Sequence, residues 1–136
     1  MNAVFVDTLF WVAFAVPTDR WHEAAIKAKE TLGRVRMVTT DEVLIEYLNS
    51  LAKGEHIRAF AVKTVKAILN DPNIRVVPQS HESLLKGLAL YADRSDKGYS
   101  LTDCISMNVM KGESLAQVLT HDHHFTQEGF EVLIVP

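Results

Sequence analysis

Apolar positions change their spacing along the chain, and the changes mark out alternating strands and helices. Residues 3–6 are a short, almost wholly apolar run, the pattern of a buried strand. A helical pattern follows to about Phe14, and Pro17 stops it because its ring cannot continue a helix. Trp21, Ala25, Ala28 and Leu32 recur at helical spacing within residues 20–32, with Gly33 as the C-terminal cap. Met37 to Thr39 predicts a second strand. Thr39 with Glu42 matches a capping box and opens a helix from about 40 to 53, broken at Gly54. The longest amphipathic stripe joins Ile57, Phe60, Ala61, Thr64, Val65, Ile68 and Leu69, and it ends at Asn70-Asp71-Pro72.

Residues 74–77 predict a third strand, and Leu84, Leu85, Leu88, Tyr91 and Ala92 a helix over about 81–93. Asp93 to Gly98 is a polar loop. Ser100 with Asp103 forms a second capping-box pattern, opening a helix to about Lys111. Leu115–Thr120 and Val132–Val135 complete the strands. Strands separated by helices predict one three-layer α/β domain over residues 1–136, with a mostly parallel sheet.

Composition narrows this little. A chain of 136 residues with 48% hydrophobic and 23% charged residues is an ordinary globular domain that buries about two-thirds of its unfolded surface. No apolar run reaches the roughly 18 residues of a membrane span. No basic segment precedes the first apolar stretch, so no signal peptide is expected. The single cysteine fits a reducing interior, and a cytoplasmic location is the expectation. A net charge of −3 gives no global attraction to nucleic acid, so a polyanionic substrate would need local patches and metal ions.

The candidate chemistry lies in Asp7, Glu46, Asp103 and Asp122. Each stands where an apolar strand ends or near the start of a helix, and those ends converge on one rim of an open α/β sheet. Each has a plainer explanation: Asp7 as a helix N-cap, Glu46 as a solvated helix residue, Asp103 as a capping-box acid, Asp122 as a turn former. Their surroundings favour function. The helix after Ser100 is apolar nearly all round, and Asp7 is flanked by Val4-Phe5-Val6 and Leu9-Phe10-Trp11. Carboxylates gathered in such settings repel one another unless a divalent cation neutralises them.

Val-Phe-Val-Asp7-Thr8-Leu-Phe-Trp11, Thr40 to Glu46, Ser100-Leu101-Thr102-Asp103-Cys104 and Leu119 to Phe125 stand in order along the chain. Together they resemble the motifs of the PIN domain family, the last of them in the form Thr-x-Asp-x-x-Phe. Single-domain members of this length are commonly the ribonuclease toxins of toxin–antitoxin pairs, the VapC type. The resemblance implies that Asp7, Glu46, Asp103 and Asp122 hold one or two Mg2+ or Mn2+ ions. Thr8 and Thr120 would orient those carboxylates. It implies in-line attack of a metal-activated water on an RNA phosphodiester. It further implies an antitoxin partner and a homodimer, both using a projecting hairpin of the helices within 40–70 that carries Leu48, Leu51, Phe60 and Val65. The rival expectation is a catalytically silent module of the same fold that binds RNA or a partner protein.

Other features carry less. His121, His123 and His124 surround Asp122, but if the strand persists His121 and His123 face away from it, and no second His or Cys pair stands at zinc spacing. Cys104 lies on an apolar stripe, where a thiol is inert. Arg94 and Lys97 are candidates for phosphate contact. Trp11 and Trp21 read as core or interface residues. Asp7-Thr8-Leu9 lacks the second acid of the Asp-x-Asp used by dehalogenase-like phosphatases, and no Gly-rich phosphate loop is present.

Overall fold

The computed structural model describes residues 2–136. In chain order it contains β1 (Ala3–Val6), α1 (Thr8–Ala15), α2 (His22–Leu32), β2 (Arg36–Thr40), α3 (Asp41–Ser50) and α4 (Glu55–Asn70). These are followed by β3 (Ile74–Val77), α5 (His81–Asp93), α6 (Leu101–Gly112), β4 (Gln117–Leu119), α7 (His124–Gln127) and β5 (Glu131–Val132). The strands form one sheet in the order β3-β2-β1-β4-β5, every neighbouring pair parallel. From β1 the chain steps outward through β2 to β3, then returns to β4 on the opposite side of β1. Right-handed crossovers in opposite senses put the first helices on one face and α5 and α6 on the other. In agreement, α1 packs on α2 and α3, α3 on α4, and α5 on α6. Val4, Phe5, Val6, Val118 and Leu119 are fully buried at the centre of the sheet. Among the described residues no helix is long and apolar enough to cross a membrane.

The helix after β2 starts differently from the predicted capping box. Thr40, not Thr39, is the N-cap, its hydroxyl accepting from the Val43 N–H at 3.0 Å. Thr39 is fully buried in the strand, donates to the Val6 carbonyl at 2.9 Å and faces the Trp11 indole nitrogen at 3.5 Å. Glu42 instead accepts from the Ser83 hydroxyl at 3.3 Å. The last strands are also shorter than their apolar runs, since β4 covers only Gln117–Leu119 and β5 only Glu131–Val132.

Two helices present their stripes outward. On α5 the residues Leu84, Leu85, Leu88 and Tyr91 are exposed, and the buried position is Gly87. On α4, Ala61 and Ile68 turn inward while Ile57, Phe60 and Leu69 remain exposed. Gly87 explains the orientation of α5, because a Cβ there would lie 2.5 Å from Ile105 Cγ1 on α6. The missing side chain lets the two helices approach closely. Gly87→Ala is therefore expected to lower stability by about 1 kcal/mol in urea denaturation, overpacking outweighing the gain in helix propensity. A neutral or stabilising result would show that Ile105 gives way freely.

Candidate metal centre

β1 and β4 are the adjacent strands at which the order of the sheet reverses, and their carboxyl ends open the crevice where such sheets hold ligands. Asp7 stands directly beyond β1. It occupies the N-cap position of α1, but its side chain makes no capping bond. Its backbone carbonyl accepts from Phe10 and Trp11, which leaves the carboxylate free for another task. Oδ2 accepts from the Thr120 hydroxyl at 2.9 Å. Oδ1 is buried with no hydrogen-bond partner. With the residue only 2% exposed, burial pushes the Asp7 pKa up to about 7, and the nearby charges of Asp103 and Glu46 add to the rise.

Asp103 lies in the first turn of α6. It completes the predicted capping box: its N–H donates to the Ser100 hydroxyl at 3.0 Å, and Oδ2 accepts from the Ser100 N–H at 3.1 Å. The plainer explanation thus holds for one oxygen of a residue that is 8% exposed. Burial again raises its pKa first, and Asp122 and Glu46 raise it further against the Ser100 hydrogen bonds. Glu46, half-buried on α3, acts on both carboxyls through its charge.

Asp122 follows β4. The Thr120 hydroxyl that donates to Asp7 also accepts from the Asp122 N–H at 3.2 Å, so one side chain couples both strand ends. The Thr8 hydroxyl is buried without a hydrogen-bond partner. Asp122 Oδ1 accepts from the His124 N–H at 2.9 Å, closing a turn that ends the extended chain.

That turn redirects the histidines. The strand stops at Leu119, so the alternation expected of an extended 121–124 segment does not apply. His121 stacks on Trp21, ring centroids 4.4 Å apart and 9° from coplanar, and burial lowers its pKa. His123 is exposed. His124 enters the site, with Nδ1 lying 3.2 Å from Asp122 Oδ1 and 3.8 Å from Asp103 Oδ2. Asp103, Asp122 and His124 offer one ligand atom each, all within 4.8 Å of one another. The hint in the sequence was that Asp122 begins an Asx turn, which brings the residue two positions later back toward its carboxylate.

Arg94 is spoken for. Its Nε and Nη2 donate to the two oxygens of Glu128 at 3.2 and 2.9 Å, and it also pairs with Asp93. Glu128, its side chain 7% exposed, further accepts from Tyr99 at 2.8 Å and Lys111 at 3.1 Å. These donors, Arg94 first, hold its carboxyl down to about 2. Arg94 is thus a structural anchor rather than a free phosphate contact. The knot ties the loop before α6 to the end of α7, fixing Asp103 relative to Asp122 and His124. Lys97 pairs with Asp96 and stays partly exposed. Cys104 is buried and its thiol pKa is raised by that burial, as suits an inert core residue.

The PIN domain sequence profile matches residues 4–130, nearly the whole chain. The chain belongs to the PIN domain family. Among solved structures, it superimposes on Mycobacterium tuberculosis VapC20, described as a sarcin–ricin-loop-cleaving toxin, with a TM-score of 0.84. Identity there is 23%, with 93% of this chain and 95% of that one covered. It is similar also to FitAcB of Neisseria gonorrhoeae (TM-score 0.68, 16% identity, 96% of both chains). A third likeness is to a toxin–antitoxin complex from Klebsiella pneumoniae (TM-score 0.61, 16% identity, 88% and 87% covered). At these identities the likeness establishes the fold, which is the three-layer PIN architecture. No curated protein sequence matches the chain.

The donor set of this PIN domain suits a divalent cation. Carboxylate oxygens are the preferred ligands of Mg2+ and Mn2+. The buried, unpartnered Asp7 Oδ1 is the kind of atom such an ion satisfies.

Proposed function

We propose that the chain is a metal-dependent endoribonuclease that hydrolyses RNA phosphodiester bonds and serves as the toxin of a type II toxin–antitoxin pair. The observation that carries this reading is Asp7: a buried carboxyl with one orphaned oxygen, repelled by Asp103 and Glu46 at the crevice of a PIN fold. Asp7, Glu46, Asp103 and Asp122 would hold one or two ions of Mg2+ or Mn2+. An ion so held supplies Lewis-acid activation of water and screening of the phosphodiester charge. The protein's part is to keep its carboxylates oriented before RNA arrives. Thr120 pins Asp7 Oδ2, the Ser100 N–H pins Asp103 Oδ2, and the His124 N–H pins Asp122 Oδ1. Such pre-set ligands lose little freedom when an ion binds.

The descriptions of VapC20 as a toxin and of the Klebsiella structure as a toxin–antitoxin complex support the toxin role. For an antitoxin, the fitting surface is an apolar hollow of about 370 Å³ lined by Val16, Pro17, Leu51, Ile57 and Phe60. Leu51 forms its buried floor and Phe60 its exposed wall, while Leu48 and Val65 of the same hairpin pack toward the core. An amphipathic antitoxin helix would lay its apolar face there. The same hairpin, with Ile57, Phe60 and Leu69 exposed on α4, is the surface for a homodimer, and a cytoplasmic location suits an RNA substrate.

The test is cleavage of a mixed RNA pool by the purified protein. Cutting is expected with Mg2+ or Mn2+, and is expected to vanish in EDTA and in the Asp103→Asn variant. Cutting that survives EDTA would remove the metal dependence, and a folded partner-free protein that binds RNA but never cuts it would favour the silent-module alternative.

A further inference from the structure

We infer that His124 is itself a metal ligand in this chain, making the centre a mixed carboxylate–imidazole site with a preference for Mn2+ over Mg2+. The inference rests on the metal-dependent reading above and deepens it. Nδ1 of His124 is buried and has no hydrogen-bond partner, although Asp122 Oδ1 lies 3.2 Å away and Asp103 Oδ2 3.8 Å away. A ring nitrogen carrying a lone pair would face two carboxylate oxygens at that range and be repelled by both. Positive charge among the three donors makes the arrangement favourable: a proton on Nδ1 would do so as a hydrogen bond, and a divalent cation would satisfy all three donors at once. Asp7, 2% exposed, has its own orphaned oxygen and feels the charge of Asp103, so it too would be relieved by a cation near Asp103.

The rest of the ring is held in this attitude. Nε2 lies against Gly98, where a Cβ would come within 3.8 Å of it. Gly98 has φ +74°, a conformation natural to glycine, so the loop passes close to the ring without a side chain between them. Tyr99 meets the imidazole edge-on at a centroid distance of 5.4 Å, and its hydroxyl is tied to Glu128. The Asp122–His124 turn fixes the backbone on the other side. The ring is thereby restrained from several sides, with Nδ1 directed at two carboxylates. Both ions prefer carboxylate oxygen, but Mn2+ accepts an imidazole nitrogen more readily than Mg2+, which keeps oxygen ligands and water.

The experiment loads the full-length, metal-stripped protein with Mn2+ and records electron spin-echo modulation from 14N, alongside calorimetric titration with Mn2+ and with Mg2+. The expected result is imidazole nitrogen coupling in the wild type, retained in His123→Asn and lost in His124→Asn. Mn2+ binding should weaken at least tenfold in His124→Asn while Mg2+ binding changes less. If His124→Asn does not fold, coupling in the wild type that persists in both His123→Asn and His121→Asn still assigns the ligand. Bound Mn2+ with no 14N coupling overturns the inference and leaves the metal-dependent reading standing. No Mn2+ binding at all overturns both.

Discussion

Replacing Asp7 by Asn is expected to abolish RNA cleavage and, in the same variant, to make the metal-free fold more stable at pH 8. Both effects have one origin. The Asp7 carboxyl is raised from 3.8 to about 7, first by burial and then by Asp103, a difference worth up to about 4 kcal/mol against folding when the group is ionised. The sign follows from proton binding. Between the unfolded and folded values the native state keeps a proton that the unfolded chain has lost. The contribution to stability is complete below about pH 4 and is lost as pH rises toward about 7. Asn keeps an acceptor for the Thr120 hydroxyl but carries no charge. Guanidinium unfolding in EDTA should give matching stabilities for the two proteins near pH 4, with the variant ahead above pH 7. Parallel curves at all pH values would remove the buried-charge account, and loss of the fold would make Asp7 a structural residue. Saturating Mn2+ should reverse the order, since only the wild type gains fully from binding.

Replacing Glu128 by Gln is expected to have the opposite thermodynamic signature. Its carboxyl is held from 4.5 down to about 2, chiefly by Arg94 and then by Tyr99 and Lys111. Stability from this group is present above pH 4.5 and is lost as pH falls toward about 2. The variant should be less stable by about 2 kcal/mol at neutral pH. That is below the roughly 3–5 kcal/mol of a fully buried pair, because Arg94 and Lys111 keep 30% and 46% of their exposure. Its deficit should shrink in acid, whereas that of a simple packing defect would not. A further consequence concerns the site. With the knot loosened, the loop carrying Tyr99 and Ser100 is freed from α7, and divalent-ion affinity should fall although Glu128 touches no ligand residue of the cluster. Unchanged affinity in a destabilised variant would confine Glu128 to the fold.

Much of this protein was legible in its residues because the relevant signals are local. The uniform run Val4-Phe5-Val6 forms the strand its short, wholly apolar pattern predicted, and the Ser100–Asp103 box opened α6 where expected. Asp7 and Asp122 follow strands, and parallel pairing brings such ends to one rim whatever the details, so their convergence was predictable. Periodicity also gave α4 and α5 their extents. It could not give their facing, because a stripe states which residues are apolar and not whether a partner exists. Gly87, with no side chain to add to any pattern, decided the packing of α5.

The remaining features are products of tertiary structure. Thr39 left the capping box because a buried strand hydroxyl found the Val6 carbonyl, 33 residues away in sequence. Glu128 and Arg94 meet across 34 residues, and nothing local distinguishes either from a solvated surface charge. His124 reached the cluster because Asp122 ends the extended chain and turns it, so a turn rather than strand alternation sets that segment. The sequence by itself determined the order of elements, the parallel α/β architecture and the positions of the acids. Only the three-dimensional packing decided which hydroxyl orients Asp7, which histidine faces the carboxylates, and what holds the loops in register. Strand and helix signals are carried by near neighbours, whereas these contacts depend on distances that close only when the sheet does.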